Sequence, residues 1–234
     1  MRAVLLIAAN LLREARWYVL LMVGWVVGLT LLLQIDKRPK PADVVFIVSQ
    51  EAAYGIVLAL MMGAAAIHAD RKTRRILSVL SKAVERREYL AGLLLGAAYQ
   101  ALIFLAAVAI CGTWSARRLG LPSGSLWTFL VLPFCGAMLG AAAGLMCASF
   151  LHPLFATAAS GLLLLGQYEL EHAIAPGSRT LPMETIVHSF FIFGFQPDWA
   201  VPWLPCAGAL IEALIFWLVA SLIFQRRDIA VAVD

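Results

Sequence analysis

Long apolar runs alternate with short polar clusters along the whole chain. The first run spans Trp17 to Leu33 and is closed by QIDKRPKPAD, where Pro39 and Pro41 break a helix. Later runs cover about 44–67, 89–113, 126–150, 154–167 and 204–224. A helix rises 1.5 Å per residue, so about 20 apolar residues cross a hydrocarbon core about 30 Å thick. The pattern predicts six membrane-spanning helices and an all-α integral membrane fold. Arg117, Arg118, Pro122 and Gly124 mark the loop before the fourth span, and LHP at 151–153 a tight turn before the fifth. A polar, Pro-bearing segment from Tyr168 to Trp203 precedes the sixth.

Residues 1–16 carry a different pattern. Val4, Leu5, Ala8, Leu11, Leu12 and Ala15 recur at helical spacing, while Arg2, Arg13 and Arg16 can face headgroups. The spacing predicts an in-plane amphipathic helix; the alternative is an inward extension of the first span. Val4 to Leu12 is short, lacks a small-residue cleavage site and runs into Arg13, Glu14 and Arg16, so no cleavable signal peptide is expected.

Composition agrees with the pattern. The 234 residues are 62% hydrophobic and 14% charged, against roughly 45–50% and about 25% in soluble domains. Six spans use the whole length, so residues 1–234 read as one membrane domain with no separate soluble part. With the N-terminus inside, the inner segments hold twelve Lys/Arg and the outer segments six. The positive-inside rule therefore puts both termini inside and Trp114, Trp127, Trp199 and Trp203 near the outer interface. Cys111, Cys135, Cys147 and Cys206 lie in or beside apolar runs without CxxC spacing and read as small buried hydrophobes; a Cys111–Cys206 bridge is the less favoured alternative. Gly136-x-x-x-Gly140-x-x-x-Gly144 lines one helix face, for ordinary packing within a subunit or for a surface that slides during transport.

The densest charge is DRKTRRILSVLSKAVERREYLAGLLLG, Asp70 to Gly96, between two spans. Arg71, Arg74, Arg75, Ser78 and Lys82 fall on one helical stripe, and Ile76, Leu77, Leu80 and Val84 on a second. A positive-inside anchor needs only two or three basic residues near the span ends, not a two-faced helix of this length.

This stretch resembles the type-2 permease subunits of ABC transporters. In that family the second span ends in an acidic residue, followed by a basic, partly apolar helix and a Ser-x-Pro-Val-x-Arg-type stretch with Glu-Tyr and Gly after it. Asp70 takes the acidic position, Ile76, Leu77 and Leu80 the apolar ones, and Ser81, Val84, Arg86, Glu88, Tyr89 and Gly92 fall in register. FQRRDI, Phe224 to Ile229, is similar to the family's ending. The chain departs from the pattern at Arg74-Arg75 for Gly-Thr, Ala83 for Pro and Leu93 for Lys.

The resemblance implies that the 70–88 loop is a cytoplasmic coupling helix seated on a separate ATP-binding subunit, which holds ATP and Mg. Asp70, Arg71, Arg74, Arg75, Ser78, Lys82, Glu85, Arg86, Arg87 and Glu88 would face it. It also implies a bacterial-type inner-membrane exporter, completed by a second permease copy, with a homodimer favoured. The chain lacks a GxxxxGK[ST] loop and is not expected to be an enzyme itself. No metal or other cofactor and no nucleic acid is expected on it, and lipid surrounds it.

Glu51, Glu212 and Gln100 lie in spans and are candidates for a translocation path; the alternatives are protonated carboxyls bonded to neighbours such as Gln100, or placement near the outer headgroups, for which Glu51 is close enough to its span start. The outer segment, 168–203, holds Glu169, Glu171, His172, Glu184 and His188. Glu184 and His188 share a helix face at i, i+4 and with His172 could bind zinc, but the favoured reading is a cap of solvated side chains. SFFIFGF is too short to span and reads as re-entrant or interfacial. His68 and His152 sit at the inner membrane edge, outside the spans where paired haem ligands belong. Two other classes stay open: a membrane-embedded enzyme with an outer Glu/His metal site, and a non-transporting anchor that recruits a cytosolic partner.

Overall fold

Each apolar run becomes a helix. The computed structural model describes residues 2–35, 40–72, 84–120, 124–192 and 201–226. Its helices are α1 (Arg2–Glu14), α2 (Arg16–Ile35), α3 (Pro41–Lys72), α4 (Arg86–Arg118), α5 (Gly124–Phe129), α6 (Val131–Ala148), α7 (Pro153–Ile174), α8 (Pro182–Val187) and α9 (Trp203–Arg226), with a π-helical turn at His188–Ile192. No strand occurs among the described residues. Five segments are long and apolar enough to cross a membrane: Arg16–Ile35, Pro41–Asp70, Arg86–Arg118, Leu126–Ala148 and Trp203–Arg226. The fifth apolar run also forms a helix, α7, of 22 residues. Its last turns carry Gln167, Tyr168, Glu169, Glu171 and His172, which dilute its apolar character.

Local chemistry sets the ends. Pro41 opens α3, where its missing N–H costs nothing, and the Lys40 N–H donates to Asp43 Oδ2 at 2.7 Å. Gly120, at φ 69°, closes α4 and returns its N–H to the Arg117 carbonyl at 3.1 Å.

Contacts give the directions. His68 meets His152, Tyr89 meets Asp70 and Phe224, and all of these lie at one end of the bundle, called here the loop end. Gln34 meets Ser115 and Arg118, and Gly208 meets Pro182, at the opposite cap end. Helices α3, α6 and α9 therefore run one way, and α2, α4 and α7 the other. Helices α3 and α4, 32 and 33 residues long, reach about 50 Å and overhang a hydrocarbon core about 30 Å thick.

Helix α6 is the centre. Its glycine stripe faces α3: Gly136 meets Ile56, Gly140 meets Ile56 and Leu60, and a Cβ at Gly144 would collide with the Leu60 carbonyl. From the other side, a Cβ at Gly63 would collide with the Ala141 carbonyl. The stripe is thus consumed by packing inside the subunit. Helix α9 closes on α6 with Ala209 and Ala213, and Cys206 lies against Cys135, not Cys111. All four cysteines are free. Outward faces are apolar, for example Leu20, Leu21, Leu31 and Leu32 on α2 and Leu210, Ile211, Leu214 and Ile215 on α9. Trp114, Trp127 and Trp203 are exposed at the cap end; Trp199 lies outside the described residues.

Residues 2–14 form the expected helix, but its contacts run lengthwise along α4. Ile7 meets Gly92, Leu11 meets Gly96, and the parallel run along α4 continues through α2 to Gln34 and Ser115. The Ala15 N–H bonds to the Leu11 carbonyl and the Val19 N–H to the Ala15 carbonyl, so α1 and α2 are almost one helix. Helix α1 thus lies lengthwise along α4, where a helix lying across the bundle would touch it at one turn only.

The stripe predicts an asymmetry. Alanine normally stabilises a helix over glycine by about 1 kcal/mol. Gly144→Ala and Gly63→Ala are expected instead to destabilise by about 1–3 kcal/mol through overpacking. Gly161, with open space around its Cα, is expected to tolerate alanine, and thermal unfolding of the three variants in detergent measures the difference.

Candidate functional site

The charged stretch is described only at its edges. Asp70 and Arg71 end α3, Glu85 precedes α4, and Arg86, Arg87 and Glu88 begin it. Arg74, Arg75, Ser78 and Lys82, and with them the body of the expected coupling helix, lie outside the described residues.

Those edges are pinned. Asp70 is buried and accepts a 2.7 Å hydrogen bond from the Tyr89 hydroxyl, which joins the end of α3 to the start of α4. Tyr89 is itself fully buried and stacks on Phe224 of α9, with ring centroids 5.9 Å apart. Arg86 Nη1 donates to the carbonyls of Phe224 and Gln225, both at 2.9 Å. A helix leaves its last carbonyls without internal donors, and its C-terminus favours a cation. Arg86 thus caps α9 from α4. Asp70 and Arg86, read in the sequence as facing a partner, are engaged within the chain, whereas Glu85 and Arg87 are exposed. The Asp70–Tyr89 and Arg86–α9 pairings span 19 and about 138 residues, so no local pattern announces them.

The three polar residues within spans go to different places. Glu51 on α3 is 1% exposed, and its Oε1 has no hydrogen-bond partner among the described residues. Gln100 on α4 also leaves Nε2 unpartnered there and lines a cavity of about 30 Å³ with Tyr18, Gly55, Leu58 and Phe104. No hydrogen bond joins Gln100 to Glu51. Glu212 on α9 accepts from Gln167 Nε2 at 2.7 Å, and the same amide nitrogen donates to Glu171 Oε1 at 2.9 Å. The neighbour that Glu212 uses is therefore Gln167, not Gln100.

Through Gln167, Glu212 joins a network at the cap end. Glu171 Oε2 accepts the Glu184 N–H at 2.9 Å and so holds α8 on α7. Glu184 is fully buried. Its Oε1 lies 3.1 Å from His172 Nδ1, 3.0 Å from His188 Nε2 and 2.7 Å from the Gly177 N–H. Gly177 reaches it from a turn at φ 72°, a conformation that glycine adopts without strain. Tyr168 stacks on His172, and His172 on His188. Burial pushes the Glu184 carboxyl up, but the His172 and Gly177 hydrogen bonds and the two imidazoles hold it below the usual carboxyl range.

The expected cap of solvated side chains is therefore corrected for Glu171 and Glu184, both buried. Met183, Ile186 and Phe190 pull α8 and the π-helical turn into the core beside Phe129, which carries Glu184 inward with them. The E-x-x-x-H spacing at 184–188 was readable from the sequence; the approach of His172, from another helix, was not.

The loop-end pinning is testable by single substitutions. Tyr89→Phe keeps the ring stack but strips a donor from a buried carboxyl, at an expected cost of about 1–3 kcal/mol. Arg86→Ala should cost a similar amount by uncapping α9, while exposed Arg87→Ala should stay within about 0.5 kcal/mol. Unfolding midpoints in detergent read all three.

No protein-family model matches the chain, and no curated protein matches it in sequence. The family resemblance rests on the residues of the 70–92 stretch and the 224–229 ending.

Proposed function

We propose that the chain is the membrane-spanning permease subunit of an ATP-driven transporter of the type-2 ABC kind, working as an exporter. A separate ATP-binding subunit would hold ATP and Mg and seat on the 70–88 loop. A second permease copy, in the simplest case an identical one, would complete the path. The supporting observation is the pinned base of the loop: Asp70–Tyr89 and Arg86–Phe224 tie α3, α4 and α9 together where the loop leaves and re-enters the bundle. A push on such a loop is delivered to three helices at once instead of being absorbed by a slack hinge. Basic side chains on the loop would pair with acidic residues in the partner's groove.

In this reading α7 also crosses, as the fifth span of six, its polar last turns reaching the outer interface. The amphipathic pattern of residues 1–16 then serves the inner interface, where α1 follows the overhanging start of α4. The charge asymmetry supports both termini on the inner side, and the family resemblance supports a bacterial-type inner membrane. A membrane-embedded enzyme is the second reading, and the His172, Glu184 and His188 cluster is what favours it.

Co-purification with a candidate ATP-binding subunit, followed by ATPase assay in lipid, tests the proposal. Wild type is expected to form a stable complex. The Arg74→Glu/Arg75→Glu variant should weaken it by about tenfold or more, since like charges across an interface cost several kcal/mol. A chain that binds no ATPase, and whose charge reversal alters only topology, would make the loop a positive-inside anchor and end the permease reading.

A further inference from the structure

The cap-end cluster does not depend on the transport reading. His172 comes from α7, Glu184 from α8 and His188 from the π-helical turn, and one ligand atom from each lies within 4.8 Å of the others. Imidazole nitrogens and a carboxylate oxygen are the donor set of zinc and its borderline-soft neighbours.

The carboxylate is crowded. Three nitrogens lie within 3.1 Å of the single oxygen Glu184 Oε1, namely His172 Nδ1, His188 Nε2 and the Gly177 amide. A carboxylate oxygen offers about two lone-pair directions. The Gly177 N–H takes one at 2.7 Å. His172 Nδ1 takes the other by hydrogen bond, and His188 Nε2 lies against the same oxygen at 3.0 Å in ion-pair contact. A neutral imidazole has one ring nitrogen that carries a lone pair, and a cation at the convergence point turns competing donors into three ligands.

The surroundings are those of a supported site. Glu171 fixes the backbone of Glu184, Gly177 fixes its carboxylate, and Tyr168 stacks on His172, as outer partners do when they orient metal ligands. Glu184 is sealed at 0% side-chain exposure, whereas the His172 side chain is 45% exposed, so the cluster opens to the surface on one side. A fourth position can be filled from there by water.

We propose that His172, Glu184 and His188 bind one divalent transition-metal ion of the zinc type, which latches the α8 cap onto α7. Helix α7, α8 and the π-helical turn that continues α8 would be joined at one point. The ion would also be linked, through Glu171 and Gln167, to Glu212 on α9.

The test uses the full chain in detergent, stripped with chelator and dialysed against zinc. Elemental analysis is expected to find about one zinc per chain. His172→Ala and His188→Ala should each lower affinity by about a hundredfold or more, and exposed Glu169→Gln should leave it unchanged. Cobalt substitution supplies a readout that folding alone does not move. His172→Cys and His188→Cys, loaded with cobalt, should each gain a near-ultraviolet thiolate-to-metal charge-transfer band, because only a direct ligand produces one. Retention of zinc equal to that of the His172→Ala/His188→Ala double variant, or no charge-transfer band in either cysteine variant, overturns the proposal and leaves a hydrogen-bonded network.

Discussion

The contact on which the bundle depends is the backbone approach of α3 and α6. In a bilayer, lipid tails are as apolar as leucine side chains, so burial alone does not drive one helix onto another. Shape has to do it. Gly63, Gly140 and Gly144 remove the side chains at the crossing and let carbonyls sit where Cβ atoms would be. That approach gathers dispersion contacts and Cα–H···O contacts, each small and collectively large. With α6 fixed in the middle, α9 settles on its second face through Ala209 and Ala213, and α4 and α7 fill the sides. The outer faces keep leucine and isoleucine, which suits contact with acyl chains.

Polar groups inside this framework are treated in two ways. At both ends they are paired. Asp70 with Tyr89, Arg86 with the α9 carbonyls, and Glu184 with His172, His188 and Gly177 each join separate helices or turns. A buried polar group that loses its partner costs more than the bond contributed, so these pairings hold the helix ends in one arrangement. In the middle, Glu51 Oε1 and Gln100 Nε2 are buried without partners among the described residues. Intramembrane polar groups of that kind face a protein interior or a wet path. The helix ends are thus held by pairings, while the interior keeps these two polar atoms, unpartnered among the described residues, in a largely apolar core.

The two ends differ in how their chemistry is built. Among the described residues, the loop end uses Arg86 and the Asp70–Tyr89 pair, and works through helix termini. The cap end uses a network that crosses from α9 through α7 to α8: Glu212–Gln167–Glu171 by side chains, Glu171 to the Glu184 backbone N–H, and the Glu184 carboxylate to His172 and His188. Glu212, which the sequence placed among path residues, is the deep terminus of that chain, so a change at the cap is linked by hydrogen bonds to the interior of α9.

What the sequence determined by itself is one-dimensional. Apolar run lengths set the helices, because backbone amides in lipid must be satisfied within the segment. Pro41 and Gly120 set ends, and the glycine spacing announced a close crossing without naming the helix that fills it. The i, i+4 spacing of Glu184 and His188 was visible for the same reason: neighbours on a helix are fixed by its pitch. Only the tertiary structure decided which elements meet. It placed α1 lengthwise on α4, put Cys206 against Cys135, gave Asp70 to Tyr89 and Arg86 to α9, and buried Glu184 beside His172. Those choices follow from the packing of helices brought together from far along the chain. No local period encodes that packing, because it is settled by the shapes of two surfaces at once.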